Sequence, residues 1–220
     1  MKSTSGYIFR LVLPFLVLIP VSGQDTLRTY GPRIGLDVVR FAYIFSEPSE
    51  IGAEVSVDFE LFNNLFPVFE AGYSTTSDKS DLFDYTSGGT YGRAGIDYNL
   101  LPMHDRSVHH MIFIGLRYGV SSFSHSAEQF TIPSNYWGDL HIDSYENRLL
   151  GHWFELVAGV KAEVAPNLFL GWSVRYQSLL NPLMDEVFTP RLIPGYGNGA
   201  SASGFGFSYS IFYKIPLFKK

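Results

Sequence analysis

Several side chains in the middle of the chain are of the types that nucleophilic catalysis uses. Ser124, His125 and Ser126 are neighbours, and His141 and His152 follow further along. A serine hydroxyl that a histidine activates, with a carboxylate to orient that histidine, can attack a lipid ester. The other polar residues of the group are Glu128, Asp143 and Ser144. Their spacing matches no motif, and exposed loops commonly hold such residues. The sequence therefore favours a protein that is not an enzyme. A lipid-modifying acyltransferase or deacylase remains the alternative.

Metal and nucleotide chemistry have weaker signals still. His109 and His110 are adjacent, so on a strand their side chains point to opposite faces and cannot share a metal. The glycines of 195–199 lack the strand-to-helix context of a phosphate loop, and we expect them to form a flexible loop. The chain has no cysteine and a net charge of −5, which argues against thiolate chemistry and nucleic acid. We expect no metal and no cofactor.

Alternation with a period of two is the strongest pattern, and it predicts β-strands. In residues 51–61, IGAEVSVDFEL, the apolar side chains fall on one face and the polar ones on the other. Eight segments repeat the pattern, the first with a bulge at Val38–Val39. The predicted strands are 33–45, 51–61, 67–76, 90–100, 110–122, 152–164, 168–178 and 204–217.

The polar face of these strands combines glycine and serine with single charges of both signs. Near-balanced charges fit a narrow lumen, because an ion that is shielded from water needs a partner. We therefore predict a charge network inside a barrel. Its predicted acids are Asp37, Glu54, Asp58, Glu60, Glu70, Asp97, Glu155 and Glu163, and its predicted bases are Arg33, Arg40, Arg93, Arg117, Lys161, Arg175 and Lys214.

The apolar face carries large aromatic and aliphatic side chains with almost no charge, which suits contact with lipid. We predict an all-β fold, an eight-stranded antiparallel up-and-down transmembrane barrel. Long loops are expected at about 77–89, 123–150 and 179–203, with short turns at the other end. Apolar residues in these loops indicate either a protein partner or a fold over the barrel mouth. The candidate partner-binding residues are Phe130, Tyr136, Trp137 and Phe188.

The first residues resemble an export signal. Lys2 and Arg10 are basic, 11–21 is apolar, and Val21-Ser22-Gly23 offers a cleavage site before Gln24. We therefore predict a signal peptide at 1–23 and a barrel at 24–220, exported to the outer membrane. The apolar run is too short, and too interrupted by proline, for a membrane-spanning helix.

The last strand, GFGFSYSIFYKIPLF, resembles the carboxy-terminal recognition strand of bacterial outer-membrane proteins. The ending at 213–220, YKIPLFKK, is similar to small outer-membrane barrels of the Bacteroidota, within a family labelled as a domain of unknown function. Lys219 and Lys220 depart from barrels that stop at the final aromatic residue. The resemblance implies a non-enzymatic structural or partner-binding barrel. Its expected surroundings are the lipid bilayer and proteins of an outer-membrane complex, with the outer-membrane protein assembly machinery as one candidate.

Overall fold

The computed structural model describes most of the predicted barrel. The described residues are 29–38, 50–62, 64–79, 84–101, 110–132, 140–181 and 189–219. The predicted signal peptide lies outside them, as do Val39 of the predicted bulge and the second half of the predicted first strand.

Eight antiparallel strands form a closed barrel, which confirms the predicted fold class. Each strand pairs with the next along the chain, and the last pairs with the first, so the topology is up-and-down. The strands are β1 (Arg33–Asp37), β2 (Glu50–Asp58), β3 (Leu65–Lys79), β4 (Asp84–Asn99), β5 (Met111–Ile132), β6 (Leu140–Ala165), β7 (Leu168–Leu179) and β8 (Ser203–Lys214).

The side chains alternate between the lumen and the outer wall as the sequence predicts. On β5, Phe113 and Arg117 are buried while Ile114 and Leu116 are exposed, because successive side chains of a strand point to opposite faces. On β8, Phe205 and Phe207 are among the most exposed large apolar side chains, at 71% and 64%. The apolar face of the pattern is therefore the outside of the barrel. Among the described residues, no helix is long and apolar enough to cross a membrane.

The lower end of the barrel, where β1 begins and β8 ends, has tight turns at Asn64 and Asn167. Asn64 and Asn167 adopt positive φ angles of 67° and 64°, a conformation that asparagine tolerates in turns. Asn167 also joins two strands, because its carbonyl accepts a hydrogen bond from the amide of Lys214 at 2.8 Å. These contacts fix the ends of β6, β7 and β8 relative to one another.

The predicted long loops at 77–89 and 123–150 are wrong, because most of these residues are strand. At the upper end, β3 continues to Lys79 and β4 begins at Asp84, while β5 runs to Ile132 and β6 starts at Leu140. The outward side chains change from apolar to serine and threonine on β4 and β5 and to charged residues such as Glu146 and Arg148 on β6. The period of two in hydropathy therefore fades although the backbone pairing continues.

Residues 189–199 fold over the upper end of the barrel as a small cap. Leu192–Ile193 pairs with Gly197–Asn198, and the residues between them turn. Ile193 and Tyr196 are buried against Phe123 and Trp153 of the barrel wall. The expectation of a flexible loop at 195–199 is therefore wrong, and folding over the barrel mouth is the alternative that the structure supports for this segment.

Candidate functional site: a charged lumen beneath a cap

Ion pairs fill the described lumen in one continuous series, which we call the lumen network. Alternation on seven of the eight strands brings its side chains inward, and each of them is at most 8% exposed. Carboxylates and cations are equal in number, so the network carries no net charge when all its groups are ionised. Its members are Arg33, Glu54, Asp58, Glu70, Arg93, Asp97, Arg117, Glu155, Lys161 and Arg175.

The lower part of the network centres on Asp58. Its carboxylate oxygens lie 2.5 Å from Arg33 Nε and 2.7 Å from Lys161 Nζ. Aromatic rings surround the two cations: Arg33 lies over Phe66, with 4.7 Å from its Cζ to the ring centroid, and Lys161 Nζ lies 4.8 Å from the centroid of Phe113. Cation–π contacts of this kind stabilise charges that have lost part of their hydration.

The middle part of the network centres on Glu70, which contacts three arginines. Its oxygens lie 2.7 Å from Arg117 Nη1, 2.8 Å from Arg93 Nη1 and 3.3 Å from Arg175 Nη1. Arg117 in turn lies 3.1 Å from Asp97, and Asp97 lies 3.5 Å from Lys161 Nζ, which connects this part to the lower one. One carboxylate therefore joins side chains from four strands across the barrel.

The upper part of the network brings neutral donors to two carboxylates. The Tyr91 hydroxyl donates to Glu54 at 2.5 Å. Trp153 Nε1 and Gln177 Nε2 both donate to Glu155 Oε1, at 2.6 and 2.8 Å. Gly119, opposite Trp153 on β5, leaves room for the indole ring, because a Cβ at Gly119 would overlap it.

The cap is bonded directly to the network. The carbonyl of Gly195 accepts hydrogen bonds from Arg93 Nη2 at 2.7 Å and from Gln177 Nε2 at 3.2 Å. Tyr196 donates its hydroxyl to the carbonyl of Ser201 at 2.7 Å. Burial raises the pKa of Tyr196, so its hydroxyl stays protonated and can keep this bond at physiological pH. Cap and network therefore form one hydrogen-bonded assembly.

Little open space remains in the described lumen. A cavity of about 20 Å³ lies beside Glu70 and Arg117, which is room for about one water molecule. A larger space of about 250 Å³ lies between the cap and the upper network, next to Arg175, Gln177 and Tyr196. The ion pairs of Glu70 with Arg93, Arg117 and Arg175 cross the described lumen below that space.

Aromatic side chains inside the barrel are the main feature that the sequence reasoning missed. They form one cluster beneath the cap and others among the lower ion pairs. They occupy inward positions of the same alternation, so their place in the period of two was the signal that could have identified them. The inward aromatics are Tyr91, Phe113, Phe123, Trp153, Phe169 and Phe212.

The remaining predicted network residues have different positions. Asp37 and Lys214 are buried in the lumen, and Lys214 Nζ lies 5.5 Å from the ring centroid of Phe169. Glu60 and Glu163 are only half-buried, and Glu163 accepts a hydrogen bond from the amide of Asn167 in the lower turn. Arg40 lies outside the described residues.

Of the four predicted partner-binding residues, the structure describes only the backbone of Phe130. Tyr136, Trp137 and Phe188 lie outside the described residues. The backbone of Phe130 belongs to β5 instead of a loop, and it pairs with Ile142 of β6. The predicted location of Phe130 in a long loop is therefore wrong.

Two of the candidate catalytic histidines, His125 and His152, do not converge. His125 is buried on the inner face of β5, where Tyr85 and Tyr145 contact its ring. His152 lies half-buried on the outer face of β6, where its Nδ1 is 3.2 Å from the Tyr118 hydroxyl. The sheet separates these two rings, so they cannot serve one reaction centre. Within the described residues, no three His, Cys, Asp or Glu side chains lie together as metal ligands.

Comparisons with known proteins show a family and several distant structural neighbours. The model of the family "Domain of unknown function (DUF6048)" matches residues 7–220. Similar solved structures include Ail, the attachment invasion locus protein of Yersinia pestis, with 11% identity, a TM-score of 0.42, and coverage of 86% of this chain and all of Ail. Another is Neisserial surface protein A, NspA, with 13% identity, a TM-score of 0.38, and coverage of 84% and 94%. No curated protein gives a significant match.

Proposed function

Because the chain belongs to the DUF6048 family, a domain of unknown function, we propose its role from its geometry. We propose that it is a non-enzymatic outer-membrane barrel that acts as a structural or partner-binding protein through its outer surfaces. The closed lumen is the observation that carries the proposal. A barrel whose interior is filled by ion pairs and covered by a cap is poorly suited to transport, so its wall and its upper end are the surfaces left for function.

The lumen supports this proposal energetically. Ions that have left water are stabilised only if other ions and hydrogen-bond donors replace the water. Glu70 has three arginines within 3.3 Å, and Arg93 has Glu54, Glu70 and Glu155 within 3.0 Å. Opening a pore would separate several such contacts at once. We infer that the lumen serves the stability of the barrel.

The outer wall supports a lipid environment. Leu116, Leu156 and Phe207 point outward from three strands and are 59–64% exposed. In water, an apolar belt that extends around a barrel would be very costly, whereas lipid acyl chains cover it without that cost. Proteins that occupy the same bilayer can also contact this wall.

The sequence resemblance suggests a more specific form of the same role. We propose that the barrel is an accessory subunit of the outer-membrane protein assembly machinery, in a bacterium of the Bacteroidota, after removal of residues 1–23 as a signal peptide. A rigid barrel with an apolar wall and no open pore suits lateral contact with a second membrane protein. The large outward aromatics Phe205 and Phe207 on β8 are good candidates for such a contact.

Site-specific photo-crosslinking in native membranes tests this role. A photoreactive phenylalanine analogue would replace Leu116, Leu156 or Phe207 in turn, and Phe113 would be the inward control, since it is 2% exposed. We expect at least one outward position to give a protein adduct. Antibodies against the core subunit of the assembly machinery should recognise that adduct. Phe113 should give no adduct with another protein.

Two results would count against the proposal at different levels. Adducts that contain another membrane protein, but never the assembly subunit, would reject the specific partner and keep the binding role. If no outward position gives any protein adduct while the barrel is folded and inserted, the binding role itself fails.

A further inference from the structure

The outer wall changes chemistry abruptly towards the upper ends of β3 to β6. Below the change the outward side chains are apolar, as at Tyr73 of β3 and Val120 of β5. Above it they are hydroxyls in neighbouring positions of paired strands, which we call the hydroxyl band. The band is formed by Ser77, Thr86, Thr90, Ser122, Ser124 and Ser126. Since the apolar part suits acyl chains, the band lies where lipid headgroups begin.

Two nitrogen-bearing side chains lie on β6 beside this band. Arg148 is exposed and pairs across the sheet with Ser124, and His152 is half-buried and pairs with Val120 at the edge of the apolar part. They are four positions apart on one face of the strand, a distance of about 13 Å. Tyr118 binds His152 from below, so the ring nitrogens lie at the boundary between apolar and polar surface.

Arg148 differs from the arginines of the lumen. Arg93, Arg117 and Arg175 each contact carboxylates, whereas the Arg148 guanidinium forms no ion pair or hydrogen bond with another described residue. The nearest outward acid on β6 is Glu146, which pairs across the sheet with Ser126. An exposed arginine beside hydroxyl groups is suited to a phosphate, because a guanidinium can donate two parallel hydrogen bonds to it.

We propose that the hydroxyl band, with Arg148 and His152, binds the phosphorylated sugar headgroup of a glycolipid in the outer leaflet of the membrane. Arg148 and His152 donate hydrogen bonds to phosphate oxygens, while the serine and threonine hydroxyls exchange hydrogen bonds with the sugar. This inference rests on the proposed outer-membrane location of the barrel, with its upper end on the outer side.

Continuity with the lipid-facing wall identifies the occupant. A lipid whose acyl chains lie against Phe154 and Leu156, below His152, carries its headgroup past His152, Ser122 and Arg148. A sugar can use several hydroxyl partners at once, because each serine or threonine both donates and accepts. A phospholipid with a single small headgroup reaches fewer of them, so phosphorylated sugar is the chemistry that the whole surface matches.

Lipid binding to the purified, folded barrel in zwitterionic detergent tests the proposal by native mass spectrometry. The probes are diphosphoryl lipid A, dephosphorylated lipid A and phosphatidylglycerol. We expect diphosphoryl lipid A to bind tightest, R148A to weaken its binding about fivefold, and the double variant R148A/H152A to weaken it further. E146Q, on the same face of the same strand, is the matched control and should not weaken it.

Equal binding of lipid A to the wild type and to R148A/H152A would overturn the proposal. Equal binding of lipid A and phosphatidylglycerol would overturn it too, because the wall would then select negative charge alone. Retained heat-modifiable migration in gel electrophoresis shows that each variant is folded. These results are independent of the crosslinking test, since a barrel can bind a protein partner without selecting a glycolipid.

Discussion

Replacing Glu70 with glutamine tests whether the lumen network stabilises the barrel. Glu70 contacts Arg93, Arg117 and Arg175 within 3.3 Å and is 8% exposed. Glutamine keeps the size of the side chain and removes its charge, so the lumen retains its packing but carries one uncompensated cation. The substitution therefore separates electrostatics from packing.

The expected loss follows from the contacts that remain. Removal of one partner from a buried ion pair typically costs about 3–5 kcal/mol. In E70Q, Arg117 keeps Asp97 at 3.1 Å, Arg93 keeps Glu155 at 2.9 Å, and Arg175 keeps Glu155 at 3.6 Å, so each cation retains a carboxylate. We therefore expect a loss at the lower end of the range, about 3 kcal/mol in the free energy of unfolding.

Urea unfolding from lipid vesicles, followed by tryptophan fluorescence, measures this free energy. E146Q removes an exposed acid and should change it by less than about 0.5 kcal/mol. The double variant E70Q/R117M restores the balance of charges, and we expect it to be about 1–2 kcal/mol more stable than E70Q. If E70Q unfolds like the wild type, or if removing Arg117 gives no recovery, the lumen network does not stabilise the barrel as argued.

Two further predictions concern the cap and the outer wall. Gly195→Ala should loosen the cap, since Gly195 has φ +81° and a Cβ there would lie 2.5 Å from the Tyr91 ring. We expect faster hydrogen exchange of the backbone amides in 193–199. Gly204→Ala is the control, because its added Cβ would meet no atom within 4 Å. Leu156→Arg should lower the free energy of unfolding in vesicles by about 2–4 kcal/mol, because it puts a charge among acyl chains. Ser124→Arg, in the hydroxyl band, should change the free energy of unfolding little. If both arginines lowered it equally, Leu156 would not lie deeper among the acyl chains than Ser124, and the assigned position of the barrel in the membrane would be wrong.

The faces of the strands could be predicted because alternation depends only on local residue order. On β4, Ile96 and Tyr98 point out while Arg93 and Asp97 point in, as expected from their positions in the sequence. A side chain's face requires no knowledge of distant contacts, since the pleat of a strand fixes it. The same alternation predicted the inward position of most charged residues of the lumen.

The upper end of the barrel could not be predicted in this way. β5 and β6 continue past Val120 and Leu150 with hydroxyl and charged residues on their outer face, so the hydropathy signal ends although the pairing does not. The cap depends on contacts distant in sequence, such as Arg93 with the carbonyl of Gly195, and no local pattern encodes them. The two half-buried acids, Glu60 and Glu163, follow the period of two but lie where the barrel ends and water begins.

The lumen and the outer wall solve opposite problems of solvation. Inside, Glu155 receives hydrogen bonds from Trp153 and Gln177 and contacts Arg93, so polar groups replace the water that the carboxylate has lost. Outside, Leu116 and Leu156 have no polar group to satisfy, and contact with acyl chains removes their apolar surface from water. Arg148 fits neither arrangement, because it is a charge on the outer face without a carboxylate partner among the described residues. A phosphorylated headgroup would supply the negative charge that the protein does not, which is why this boundary, and not the lumen, is where we expect a ligand.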